Sequence, residues 1–296
     1  MMAVFTTVLL LCTAAWATRP EGVLTGHPWA KAAQEAIDGE RFDEALVLLR
    51  VDLKTPQDFI WNDYLRGQAM IGLGKLDSAD ALFGAARTKC LEIADAAERG
   101  RLESRVMRKQ GLALRERLDY DGSRKLHFEA LDLAQRYGSL EEEHDCLISI
   151  DVDCWHMQDW AESERILRQS LETAAQITEP MARTRAQATS QNNLAGTLAK
   201  LHNFEEAVER GQTALTLWGE WEAMTGNHGD FRVGWAHYGL ADIYITWAGT
   251  MQDALEASNK RGMAKYELMI AHVIGRDTGQ PQKIFDEIDR RMVECQ

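Results

Sequence analysis

Phe42-Asp43-Glu44-Ala45 and Phe204-Glu205-Glu206-Ala207 are near copies of one another, set far apart in the chain. In each, a bulky ring stands three places before a small residue. The same pairing recurs as Leu76 with Ala79, Tyr120 with Ser123 and Trp160 with Ser163. Nine places before each bulky residue stands Ala33, Gly67, Gly111, Asp151 or Ala195, and only Asp151 is not small. A small residue on one helix, opposed by a large and a small one on the next, lets two helices cross closely. Its recurrence predicts an array of one helical-hairpin unit, each unit burying its apolar face only against its neighbours.

The pattern places units at about residues 26–59, 60–93, 104–137, 144–177, 188–221 and 234–270, within an array of 26–273. From Ala45 to Ala79 is 34 residues, and the steps to Ser123, Ser163, Ala207 and Ala254 are 44, 40, 44 and 47. With only 5 Pro in 296 residues, the additional residues read as extra helical turns. The clearest breaks are Pro180 and Thr225-Gly226-Asn227-His228-Gly229-Asp230. The sixth unit, Tyr244 to Ala254, fits only with a one-residue slip. At the end, residues 281–295 put Ile284, Phe285, Ile288 and Met292 on one helical face and Asp286, Glu287, Asp289, Arg290 and Arg291 on the other. That is the pattern of a helix capping an open stack, its charged face in water.

The layout resembles the tetratricopeptide repeat over about residues 26–260, with Asn192-Asn193-Leu194-Ala195 as a first-helix segment and the two Phe-acid-Glu-Ala runs as second-helix starts. Asp52 and Arg87 depart from it, standing where the family prefers a small residue and Leu, as does Asp151 at a close crossing. The resemblance implies an all-α, right-handed superhelix (α-solenoid) of tandem antiparallel hairpins with a C-terminal capping helix. It also implies a non-enzymatic scaffold or adaptor that binds a protein or peptide in a concave groove lined by the first helix of each hairpin. On this chain the lining positions fall on Trp61, Tyr64 and Gln68; Arg105, Arg108 and Arg115; Ile148, Val152, Trp155 and His156; Asn192 and Lys200; and Trp235, Tyr238 and Asp242. Arginines three and seven apart share one helical face, and a guanidinium holds a carboxylate with two bonds. The expected partner therefore carries acidic or C-terminal carboxylate groups. The competing reading pairs these arginines with acids of neighbouring repeats, such as Glu103, Glu116 or Asp145.

Lys+Arg 33 against Asp+Glu 46 gives a net charge of −13, which disfavours nucleic acid and anionic membrane as partners. Homo-oligomerisation has no support in the sequence. Ala3 to Ala17 carry no charge, contain Val8-Leu9-Leu10-Leu11-Cys12 and end in Ala15-Trp16-Ala17, the form of a cleaved export signal over residues 1–17, with 18–25 as linker. Export would place the protein in the periplasm or outside the cell; without it the same array would be a cytosolic peptide-sensing regulator. Cys90, Cys146, Cys154 and Cys295 remain, and buried free thiols are the expected state, since Cys146 and Cys154 stand too far apart on one predicted helix to bridge. His144, Asp145, Cys146, Asp151, Asp153, Cys154 and His156 form the densest set of metal-ligand types. They are spread along that helix, and no metal or cofactor is expected. No phosphate loop, nucleophile elbow or His-Glu-x-x-His run occurs, leaving a helical enzyme the least favoured reading.

Overall fold

The computed structural model describes residues 28–226, 230–278, 280 and 282–296; the expected export signal and linker lie outside them. The described residues form thirteen helices and no strand. They are α1 (Pro28–Asp38), α2 (Phe42–Leu48), α3 (Pro56–Gly72), α4 (Leu76–Cys90), α5 (Ala96–Glu116), α6 (Tyr120–Arg136), α7 (Leu140–Met157), α8 (Trp160–Gln176), α9 (Pro180–Lys200), α10 (Phe204–Thr225), α11 (Phe231–Thr250), α12 (Ala254–Asp277) and α13 (Gln282–Glu294). The chain divides after Met157 into two compact units. In the first, α1 to α7 pack consecutively, and the odd-numbered helices also touch one another in sequence. In the second, α8 to α13 pack consecutively and α9 also touches α11. The architecture is the expected all-α helical repeat.

The small residues at the crossings do what the pattern asks of them. Ala45, Ala79, Ser123, Ser163 and Ala207 are all fully buried. A Cβ added at Gly67 would stand 2.5 Å from the Phe83 ring, and one at Gly111 would overlap His127. Where the crossing residue is serine, its hydroxyl is satisfied by the following helix of the first kind: Ser123 donates to Asp153 at 2.8 Å and Ser163 bonds Thr197 at 2.8 Å. Asp151 is buried at its crossing and is engaged by neighbours. The residues beyond the 34-residue period enter helix: α5 and α9 have 21 residues, α10 has 22 and α12 has 24.

Five hairpin turns share one backbone. Two places before the bulky residue, Glu40, Gly74, Leu118, Gln158 and His202 take φ of 56°, 69°, 65°, 58° and 61°. The next residue, Arg41, Lys75, Asp119, Asp159 or Asn203, holds ψ between 60° and 74° and starts the second helix. Asp119 and Asp159 also cap that helix, accepting from the N–H groups of Gly122 and Glu162. The sixth turn differs. Met251 is extended (φ −82°, ψ 138°), and Asp253 caps α12 through the N–H groups of Leu255 and Glu256. Helix α12 consequently opens on exposed Ala254 and buries Ala257 at the crossing, while Tyr244 lies within α11. The one-residue slip expected at Tyr244 to Ala254 is thus replaced by a different turn.

Two stability predictions follow from this geometry. Helix propensity alone favours Gly→Ala by about 1 kcal/mol, whereas overpacking costs about 1–3 kcal/mol. Gly84 has nothing within 4 Å of its missing Cβ, and Gly67 faces a fully buried ring. Thermal unfolding should therefore show Gly84→Ala stabilised and Gly67→Ala destabilised. In the turns, left-handed backbone costs an L-residue about 1–2 kcal/mol, of which glycine's extra unfolded-state freedom returns about 0.5–1 kcal/mol. Leu118→Gly should raise the melting temperature slightly and Gly74→Ala should lower it.

Candidate functional site

In the first unit, α3, α5 and α7 present the predicted lining residues. Arg105, Arg108 and Arg115 fall on one face of α5 through their spacing of three and seven. Opposite them α7 carries Glu142, Asp145 and Asp153. The two ladders meet: Arg105 pairs with Glu142, Arg108 with Asp145 at 3.4 Å and Arg115 with Asp153 at 3.3 Å. Arg115 also donates to the carbonyl of Ser149 at 3.4 Å. The arginines thus join adjacent repeats, as the competing reading had it for Asp145. Burial differs along the ladder, since the Arg115 side chain is 4% exposed and that of Arg105 15%.

Asp153 is held by three neighbours. Ser123 and Arg115 donate to it, and His127 Nδ1 donates at 2.5 Å. Burial alone would raise its carboxyl, but His127, Arg115 and Ser123 outweigh that and hold it below the usual range. Ser, His and Asp therefore converge without forming a nucleophilic triad. Ser123 bonds the aspartate, and His127 Nε2 donates to the carbonyl of Arg108 at 3.0 Å. All three side chains are fully buried. The trio acts as a structural knot beneath the lining.

Around the ladders, Trp61 and Tyr64 meet edge to face at 5.4 Å and are buried in the core with Ile60, Leu65 and Phe83. The pattern places them on an open wall; packing among α1, α3 and α5 encloses them instead. Gln68 is also buried, and its Nε2 finds no acceptor among the described residues. The Arg105 guanidinium lies 5.2 Å from the Trp61 ring centre, so it is held between an aromatic face and Glu142. Lys109, which the lining positions omit, is 2% exposed; burial, with Arg108 and Arg115 adding, pushes its amine well below the ordinary range. Trp155 and His156 keep partial exposure. His156 stacks on Tyr120 at 4.8 Å and is pushed down to about 4, first by burial and then by Arg115. Burial pushes the thiols of Cys90 and Cys146 up to about 12 and about 11. Cys90, Cys146 and Cys154 are buried free thiols, and Cys295 is free and half-buried. Among the described residues no cluster of His, Cys, Asp or Glu is arranged to hold a metal ion.

In the second unit, Trp235 and Tyr238 stand on α11 with rings 5.6 Å apart. Tyr238 donates to Glu287 at 3.0 Å, and Arg291 pairs with Asp242. Burial, followed by the Asp242 charge, raises the Tyr238 hydroxyl above its ordinary value. Helix α13 thus sits against these lining positions. The pattern of α13 assigns Arg291 to the solvent face, but the unmatched acid on α11 draws it in until it is 7% exposed. Asn192 and Lys200 on α9 remain half-buried. The missed residues were Glu142, Asp153, Ser123 and His127. For Glu142 and Asp153 the signal was a second set of charges on α7, spaced three and eight apart with Asp145 and facing the arginines of α5; Ser123 and His127, on α6, carried no such charge pattern.

No protein-family profile matches the sequence, and no curated protein matches it. Solved structures do. The nearly identical TPR-like repeats assigned to a kinesin light chain of Podosopora anserina align over 77% of this chain and 100% of theirs, with TM-score 0.53 and 13% identity. The fold is that of a tetratricopeptide-type repeat protein. The same repeat fold aligns with BtubC (BKLC) from P. vanneervenii over 84% of this chain and 91% of that one, with TM-score 0.59 and 13% identity. A Rap protein solved in complex with competence and sporulation factor aligns over 87% of this chain and 71% of its own, with TM-score 0.55 and 18% identity.

His156 supplies a pH prediction. Its folded value, about 4, lies below the 6.5 of a free imidazole, so between those values the unfolded chain binds the extra proton. Stability should therefore fall as pH drops through that window and be fully present above it. His156→Phe, which keeps a ring on Tyr120, should flatten that part of the stability–pH curve measured by urea unfolding.

Proposed function

We propose that the protein is a non-enzymatic interaction scaffold whose first unit receives a peptide or protein segment bearing acidic or C-terminal carboxylate groups. The observation that carries this reading is Arg105, a guanidinium laid over Trp61 and still partly open to solvent. Arg is among the residue types that supply most binding energy at protein interfaces; the buried Trp61 ring beneath it holds the guanidinium in place and does not itself meet the partner. Arg108 and Arg115 support the site from behind and do not contact the partner. The Rap complex with its factor is consistent with a ligand-receiving role for this fold. The buried Ser123, His127 and Asp153 offer no exposed nucleophile, which weighs against an enzyme.

The test separates binding from stability. Peptides selected from a random displayed library on the full chain are titrated calorimetrically against Arg105→Ala and Arg115→Ala. Arg105→Ala removes the partner of buried Glu142 and should lower the melting temperature, so affinities are compared at a temperature where circular dichroism shows each variant folded, and there Arg105→Ala should weaken binding. Arg115→Ala leaves Asp153 held by Ser123 and His127, so it should lower the melting temperature and leave affinity in the folded variant unchanged. Undiminished affinity in Arg105→Ala would remove Arg105 as the reading point, and a library yielding no binder would remove the scaffold reading itself.

A further inference from the structure

The three ion pairs between α5 and α7 are not equivalent. Asp153 is satisfied on both oxygens, by Ser123 and Arg115 on Oδ1 and His127 on Oδ2. Glu142 is only 1% exposed, and its Oε2 finds no donor among the described residues; Oε1 alone is bonded, by Arg105. A buried carboxylate with one idle oxygen gains less from its place than a fully bonded one, because it has surrendered water without full replacement. Its cation is also the most exposed arginine of the ladder, and an aromatic ring backs it. The weakest-held acid therefore sits on the guanidinium best placed to meet an outside ligand.

We propose that Glu142 is an internal competitor, its carboxylate filling the Arg105 position that an acidic group of the partner takes over on binding. This rests on the scaffold reading above and adds its regulation. When the partner's carboxylate pairs with Arg105 over Trp61, Glu142 swings toward water and hydrates both oxygens. Arg115–Asp153 stays closed and keeps α5 and α7 in register. The partner's apparent affinity is lowered by the fraction of molecules in which Glu142 holds the guanidinium. Such a contact favours ligands offering two oxygens to Arg105 over those offering one.

The experiment uses random dodecapeptides displayed on phage and selected on the full chain, with enriched peptides titrated against wild type, E142Q, E142D and R105A/E142Q. Enriched peptides should carry Asp, Glu or a free C-terminal carboxylate at the binding position. E142Q should bind them at least about fivefold more tightly than wild type, the lower end of ordinary coupling between sites. The gain should vanish in R105A/E142Q. If E142Q fails to fold by far-UV circular dichroism, E142D decides: it keeps the charge but draws the carboxylate back from Arg105, and it too should bind more tightly. Equal or weaker binding by a folded Glu142 variant overturns the proposal and leaves the scaffold reading standing. Enriched peptides without carboxylates overturn the proposal and the acidic-partner part of the reading above, whereas failure to enrich any peptide overturns the scaffold reading as well.

Discussion

Where Phe83 lies against Gly67 and His127 against Gly111, a ring occupies the space that a side-chain methyl would need. That approach sets how near the two helices of a hairpin come, and hence how much apolar surface they hide between them. Protein interiors pack to crystal-like density, so the distance cannot stretch without opening a void. Each hairpin on its own would leave much of this surface wet. Burial is completed only when the next hairpin arrives, as Ala30 and Ala33 of α1 join Leu65 of α3 and Val106 of α5 in one core. The small residues are thus the condition on which every later contact is built.

Polar stitching then fixes alignment between neighbouring hairpins. Arg105, Arg108 and Arg115 reach across to Glu142, Asp145 and Asp153, and in the second unit Arg291 reaches Asp242. Buried ion pairs seldom add much net stability, because desolvation cancels most of the attraction. Their effect is directional. A slide of α5 along α7 by one residue would strand several charges at once. Charge spacing therefore specifies register where apolar packing alone would tolerate several.

Much of this was readable from residue types. The crossings at Ala45, Ala79, Ser123, Ser163 and Ala207 were visible because close helix contact tolerates few side chains. The amphipathic face of α13 was visible for the same reason that any half-buried helix shows one. What failed to show was pairing over distance. Arg105 and Glu142 are ordinary charges in sequence, and only the juxtaposition of α5 and α7 makes them partners. Trp61 and Tyr64 occupy lining positions yet are enclosed, because the sequence gives no measure of how tightly α1 and α5 close over α3. The sixth unit fitted the pattern poorly because no left-handed residue marks its turn; an aspartate cap at Asp253 starts the helix in its stead. Local chemistry is encoded where it acts, while tertiary pairings depend on lengths and angles that accumulate along the chain.

The sulfur chemistry has a consequence for how the chain meets oxidants. Cys90, Cys146 and Cys154 are sealed from solvent and unlinked, with two of the three thiols pushed far from ionisation. Thiolate is the form that oxidants and exchange partners attack. The described fold contains no disulfide, so a reductant such as glutathione has no bond in it to break. Among the described thiols, half-buried Cys295 is the one within reach of an outside oxidant.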